Sequence, residues 1–166
     1  MRILHSVLPI LAVLAPSVAA ADDTDVYVPI AYSDETIVLI KVQEDPNRAN
    51  SALRASRTVR VSQYVYYAEP SFTFENVPVR LTQTEFAIDC ARATSRRVES
   101  SAYRDLGDRL GRETYSDEWT PIVAGEPMAE MRRLACDGLG TRDAFYTNLR
   151  SAIDGLEGLY RAASAE

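Results

Sequence analysis

Cys90 and Cys136 are the only two cysteines in the chain, and the segment far upstream of them fixes what they can do. The chain opens MRILHSVLPILAVLAPSVAA: Arg2 supplies a positive head, residues 7 to 14 an apolar run, and Val18-Ala19-Ala20 the small residues that a signal peptidase reads. This is the pattern of a secretory leader, expected to be removed after Ala20 or, one step on, after Ala21. No cysteine stands at the cleavage point to accept a lipid, and the apolar run is well short of the roughly 20 residues a membrane span requires. The expectation is an exported protein, periplasmic or secreted, with no lipid anchor and no membrane span. In an oxidising compartment an isolated cysteine pair reads as one disulfide. By restricting the unfolded chain over a loop of about 47 residues, it would contribute about 4 kcal/mol.

The competing uses of Cys90, in the stretch EFAIDCARA, lack partners. A thiol nucleophile borrows a histidine base, and the only histidine, His5, departs with the leader. Zinc needs more soft ligands than two thiolates. Asp89 beside Cys90 is then expected to be an outward-facing residue at a strand end.

The mature chain alternates between two periods. Val26, Val28, Ile30 and Tyr32 repeat every second residue, with Pro29 confining that segment to a sheet edge or a free arm. TIVLIKVQ at 36 to 43 and TVRVSQYVYY at 58 to 67 are rich in β-branched and aromatic residues, as strands are. Between them, EDPNRANSALRASR reads as a short helix begun at Asp45-Pro46 or as a loop. Val79 and Leu81 share one parity, whereas Phe86, Ile88 and Cys90 share the other, which predicts a bulge near residues 83 to 85. Asp105-Leu106-Gly107-Asp108 forms a hairpin turn between strands at 96 to 103 and 109 to 115.

From Pro127 the period lengthens: Met128, Met131, Leu134 and Ala135 fall on one helical face, and Gly138 and Gly140 end the helix. A second helix is predicted from about Thr141 to Ala163, with Phe145, Leu149, Ala152, Ile153, Leu156, Leu159 and Tyr160 on one stripe. Gly155 and Gly158 each weaken it by about 1 kcal/mol relative to alanine, so it needs packing to persist. Either the sheet or a second copy of the chain must cover the stripe, and the latter would be a homodimer through the C-terminal helix.

The charge balance excludes whole classes of partner. The chain carries 24 acids against 18 lysines and arginines, a net charge of −6, and loss of Arg2 with the leader deepens it. Nucleic acid and anionic membrane are poor partners for such a surface. Lys41 is the only lysine, so the cations are arginine forks, suited to fixed carboxylate pairing and stacking. Without histidine there is no serine triad or zincin site, and no glycine-rich phosphate loop is present, so no metal or cofactor is expected. The catalytic chemistry left is a carboxylate pair, such as Asp117 or Glu118 with Glu126 in a glycan hydrolase. No spacing singles those acids out from a solvated acidic surface.

A non-enzymatic binding function is therefore expected. Tyr64, Tyr66 and Tyr67 with Phe72 and Phe74 form the densest aromatic segment. Strand alternation puts Tyr67 in the core and leaves Tyr64 and Tyr66 outward, where with Arg96 and Arg97 they would contact a protein or glycan partner. Trp119, just ahead of Pro121, is expected to fill the corner between helix and sheet. A second reading is a periplasmic inhibitor or accessory factor whose acidic surface meets a basic partner.

The order of YYAEPSF, AIDCARATSRRVESSAYRDLGD and EWTPIVAGEPMAEMRRLACD resembles the surface-adhesin protein E-like family of Gram-negative envelope proteins. The pattern is carried by Tyr67, Pro70, Ser71, Asp89, Cys90, Arg96, Tyr103, Trp119, Pro121 and Cys136. The resemblance implies an α+β fold: a small antiparallel sheet with a helix packed on one face, closed by the Cys90 to Cys136 bridge, in an adhesin-like envelope protein. Characterised members of the family are lipid-anchored and bind host matrix and serum proteins, whereas this chain lacks the anchoring cysteine. The resemblance covers the family domain at 36–137; the residue pattern adds a leader at 1–20, an arm or edge strand at 21–35 and, as a departure from the family, an extra amphipathic helix at 138–166.

Overall fold

The computed structural model describes residues 25–33, 35–43, 58–70, 72–116, 118–138 and 144–163. The expected leader at 1–20, the segment at 44–57 and Asp117 lie outside the described residues. The chain builds strands β1 (Asp25–Tyr32), β2 (Thr36–Gln43), β3 (Thr58–Tyr67), β4 (Thr73–Phe74), β5 (Val77–Pro78), β6 (Leu81–Asp89), β7 (Thr94–Tyr103), β8 (Arg109–Thr114) and β9 (Thr120–Pro121), then helices α1 (Pro127–Asp137) and α2 (Leu149–Ala163). The main sheet is antiparallel throughout, in the order β1-β2-β3-β6-β7-β8, with β9 pairing the first residues of β7. β4 and β5 form a separate two-stranded hairpin between β3 and β6.

Pro29 behaves as its missing N–H dictates: β1 is an edge strand, and its register against β2 shifts directly after Pro29, at Ile30. The predicted turn at 105 to 108 is present, closed by Arg104 N–H on the Asp108 carbonyl (2.9 Å) and by Leu106 N–H on Asp105 Oδ1 (2.7 Å). α1 starts at Pro127 and ends at Gly138, whose φ of 84° suits glycine.

Each face of the sheet carries one helix, and the helices sit at opposite ends. α1 lies over Val26, Val28, Ile40, Val61, Phe86 and Ile88, with Met131 and Leu134 completely buried between them. α2 lies on the other face over Ile37, Leu39, Tyr64 and Leu81, burying Ala152, Ile153 and Leu156. A fully buried aliphatic side chain contributes about 1.5 to 3 kcal/mol, so each helix is held chiefly by two or three such groups. Ala152, Ile153 and Leu156 of the predicted stripe are thus spent on the sheet, whereas Phe145 and Leu159 remain 54% and 60% exposed.

The Cys90 to Cys136 disulfide is present, with a Cα–Cα distance of 5.7 Å. It ties the turn after β6 to the last turn of α1, and Arg132 Nη2 donates to the Cys90 carbonyl beside it (2.8 Å). Asp89 is no idle surface residue: its Oδ1 accepts the Arg92 N–H (2.9 Å) and closes that turn.

Three expectations need correction. The parity change between Leu81 and Phe86 is not a bulge in β6, which stays in continuous register with β3; it arises because both faces of β6 are covered, one by each helix. A register shift does occur opposite the Glu85/Phe86 step, but the extra residue is Val98, in β7. α2 begins at Leu149, not near Thr141, because Tyr146 is drawn into a backbone bridge with Tyr27 (N–O 2.8 and 2.9 Å) and Asn148 Oδ1 caps the Ser151 N–H (2.8 Å). Gly155 has a packing reason to sit in that helix, since a Cβ there would stand 3.2 Å from the Tyr146 ring. Third, Tyr64 is not outward: it is 8% exposed beneath α2, edge to face with Tyr27 at 5.6 Å.

Candidate functional site

Two helices at diagonal ends leave two open halves. On the α1 face, beyond the end of the helix, β6 and β7 present Thr82, Thr84, Ser100 and Ala102. Thr84 and Ser100 hydroxyls hydrogen-bond to each other at 2.7 Å. The small β4–β5 hairpin flanks this floor and brings Phe74 onto it. The ring lies so close to β8 that a Cβ at Gly111 would be 2.2 Å from the Phe74 Cζ, so only glycine admits it. Phe72 stands at the rim, 43% exposed and edge to face with Tyr67 at 5.7 Å. The sheet floor, Phe72, Phe74, Arg97 and Tyr115 line a basin of about 270 Å³. Arg97 and Tyr115 also border a second basin of about 410 Å³, which continues past Phe86 and Ser95 to Met128 at the start of α1. The two basins form one groove with Arg97 at its waist.

The bulge at Val98 decides which of the two adjacent arginines stands there. Regular alternation from Ser100 and Ala102 would place Arg96 on the groove face; the extra residue shifts the phase and places Arg97 there instead, opposite Phe86. Tyr115 completes the arrangement, since its N–H donates to the Val98 carbonyl at 3.0 Å and its hydroxyl to Glu113 at 3.0 Å. The Arg97 guanidinium lies 4.8 Å from the Tyr115 ring centre and 6.0 Å from that of Phe86. Its neighbour Arg96 lies 5.4 Å from the ring centre of Trp119. Trp119 therefore does not fill a buried corner; it is 39% exposed under an arginine.

The open half of the α2 face is different in kind. Arg60 is ion-paired with Glu85 there, and Arg112 with Glu99 at 3.3 Å. Next to it Tyr66 is half-buried near α2; burial, and after it the charge of Glu157, push its phenol above the usual tyrosine range. Of the residues expected to contact a partner, Arg97 lies in the groove, Arg96 at its border and Tyr66 on the opposite face, while Tyr64 is buried. Sequence reasoning missed Phe72, Phe74 and Tyr115 as groove walls, although the aromatic density around Tyr67 pointed to the first two.

Among the described residues, no group of three or more His, Cys, Asp or Glu could hold a metal ion, and no helix is long and apolar enough to cross a membrane. Glu118 and Glu126 both border the wider basin. A disulfide-tied antiparallel sheet flanked by helices, with an aromatic and hydroxyl-lined groove on one face, makes this a small α+β domain. The chain belongs to the surface-adhesin protein E family, whose model matches residues 41–137. The match runs from the end of β2 through α1 and contains both cysteines and every groove residue, whereas β1 and α2 lie outside it. No curated protein and no solved structure matches the chain.

Proposed function

We propose that the protein is an exported, non-enzymatic, adhesin-like binding module of the cell envelope, which engages its partner through the groove on the α1 face. The observation that carries this reading is Arg97. It is an exposed guanidinium held by two aromatic rings and paired with no carboxylate among the described residues, in a groove built wholly from the part of the chain that matches the adhesin family. Arginine and aromatic side chains are the types that dominate binding energy at protein surfaces. The leader supports export to the periplasm or beyond, and the lack of a cysteine at its cleavage point supports a form without a lipid anchor.

Site-specific photo-crosslinking on living cells tests the reading. A photoreactive residue in place of Phe72 should form covalent adducts with a partner, and one in place of Arg60, on the opposite face, should not. Adducts from position 60 alone would place the partner surface on the other face.

A further inference from the structure

The groove's cation and floor select among ligands. Arg112, on the edge strand β8 that borders the groove, is ion-paired with Glu99 on the α2 side of the sheet, whereas Arg97 meets only the rings of Phe86 and Tyr115 among the described residues. A guanidinium held by ring contacts keeps in-plane N–H donors available, and these match a carboxylate in two-point fashion. The floor beneath is the face of a sheet whose strands are paired on both sides, β6 with β3 and β7. Such a floor offers no free ladder of backbone donors and acceptors, which an extended peptide would need to add as a strand. It offers the hydroxyls of Thr82, Thr84 and Ser100, with the faces and edges of Phe72 and Tyr115 standing beside them. A pyranose ring has the complementary surface, an apolar C–H face and a hydroxyl rim. The acidic net charge of −6, with Glu113, Glu118 and Glu126 bordering the groove, disfavours a polyanion, and Arg97 is where a single negative charge would be matched.

We propose that the groove binds a saccharide bearing a single carboxylate, of the uronic acid type, with the carboxylate on the Arg97 fork and the sugar ring beside Phe72 and Tyr115. This rests on the groove being the partner-binding surface, as proposed above. The test is a titration of the mature protein with a disaccharide ending in glucuronic acid and, separately, with its carboxyl-reduced neutral counterpart, followed by amide and arginine N–H resonances. The acidic sugar should shift resonances at Thr84, Arg97, Ser100 and Tyr115 and bind about tenfold or more tighter than the neutral one, the size of a charge-assisted pair. Arg97→Gln should abolish that preference and Arg97→Lys restore part of it, with unchanged resonances at Leu134 and Ile153 showing that the fold is intact. A heavily sulfated oligosaccharide should bind no tighter than the acidic disaccharide. No binding of either sugar, equal binding of the two, or a preference that survives Arg97→Gln overturns the inference. Shifts at the same resonances with an acidic peptide but neither sugar also overturn it, while leaving the groove as the binding surface. A partner crosslinked only from the opposite face removes the groove reading itself.

Discussion

The sheet has two open halves, and they differ in how their arginines are satisfied. On the α2 face, Arg60 and Arg112 are matched by Glu85 and Glu99 across neighbouring strands. On the α1 face, Arg97 is held by Phe86 and Tyr115 and forms no ion pair among the described residues, although Glu113, Glu118 and Glu126 border the groove. Exposed ion pairs of the first kind stabilise by about 0.2 to 1 kcal/mol and leave little for a partner to gain. An arginine supported by rings alone keeps its hydrogen-bonding capacity for something outside the chain. Charge content therefore does not distinguish the two surfaces; the pairing of the charge does.

The helices extend the contrast. α1 borders the groove and is tied covalently to the sheet, while α2 covers the other face by packing and the Tyr27–Tyr146 bridge. The largest expected effect comes from removing residues 139–166, which uncovers Ile37, Leu39, Tyr64 and Leu81 and discards the burial of Ile153 and Leu156. Urea unfolding should show a loss on the order of 5 kcal/mol; unchanged stability would mean that α2 does not stabilise the sheet. Cys90→Ser or Cys136→Ser should cost about 2 to 5 kcal/mol by the same measurement. Alkylation of the oxidised mature protein should label neither cysteine, and full labelling would refute the bridge.

A smaller effect separates the groove from its surroundings. Gly111→Ala drives a Cβ into the Phe74 ring, so it should cost about 1 to 3 kcal/mol and move the β4–β5 hairpin away from the floor. Chemical-shift changes should then concentrate at residues 72 to 78 and 100 to 102. Changes spread evenly over the sheet would show that the hairpin is not an independent wall. Smallest of all, Arg60→Gln should change stability by less than about 1 kcal/mol, since its ion pair with Glu85 is solvent-exposed.

Much of this architecture is legible in the sequence, because it rests on local period. The strands at 36–43 and 58–67, the turn at Asp105 to Asp108, α1 from Pro127 and the cysteine pair each announce themselves within a few residues. The misreadings share a different cause. Alternation in β3 divides Tyr64 from Tyr67 but does not say which face is covered, and α2, far along the chain, covers the face of Tyr64. The hairpin β4–β5 turns at Glu75 and Asn76, with φ of 48° and 66°, without the glycine that would have marked it. The site depended on the least local feature of all. The bulge at Val98 is completed by Tyr115 from a later segment, and it puts Arg97 rather than Arg96 on the groove face of the sheet.

Arg97, which has no carboxylate partner among the described residues, marks the proposed recognition surface, and the ion-paired Arg60 does not. The direct measurement compares Arg97→Gln with Arg60→Gln in binding to the partner captured by crosslinking, both variants first shown to unfold as the parent does. Arg97→Gln should weaken binding about tenfold or more, as loss of a charge-assisted contact should, while Arg60→Gln should leave it within about twofold. Equal losses, or a larger loss from Arg60→Gln, would contradict it.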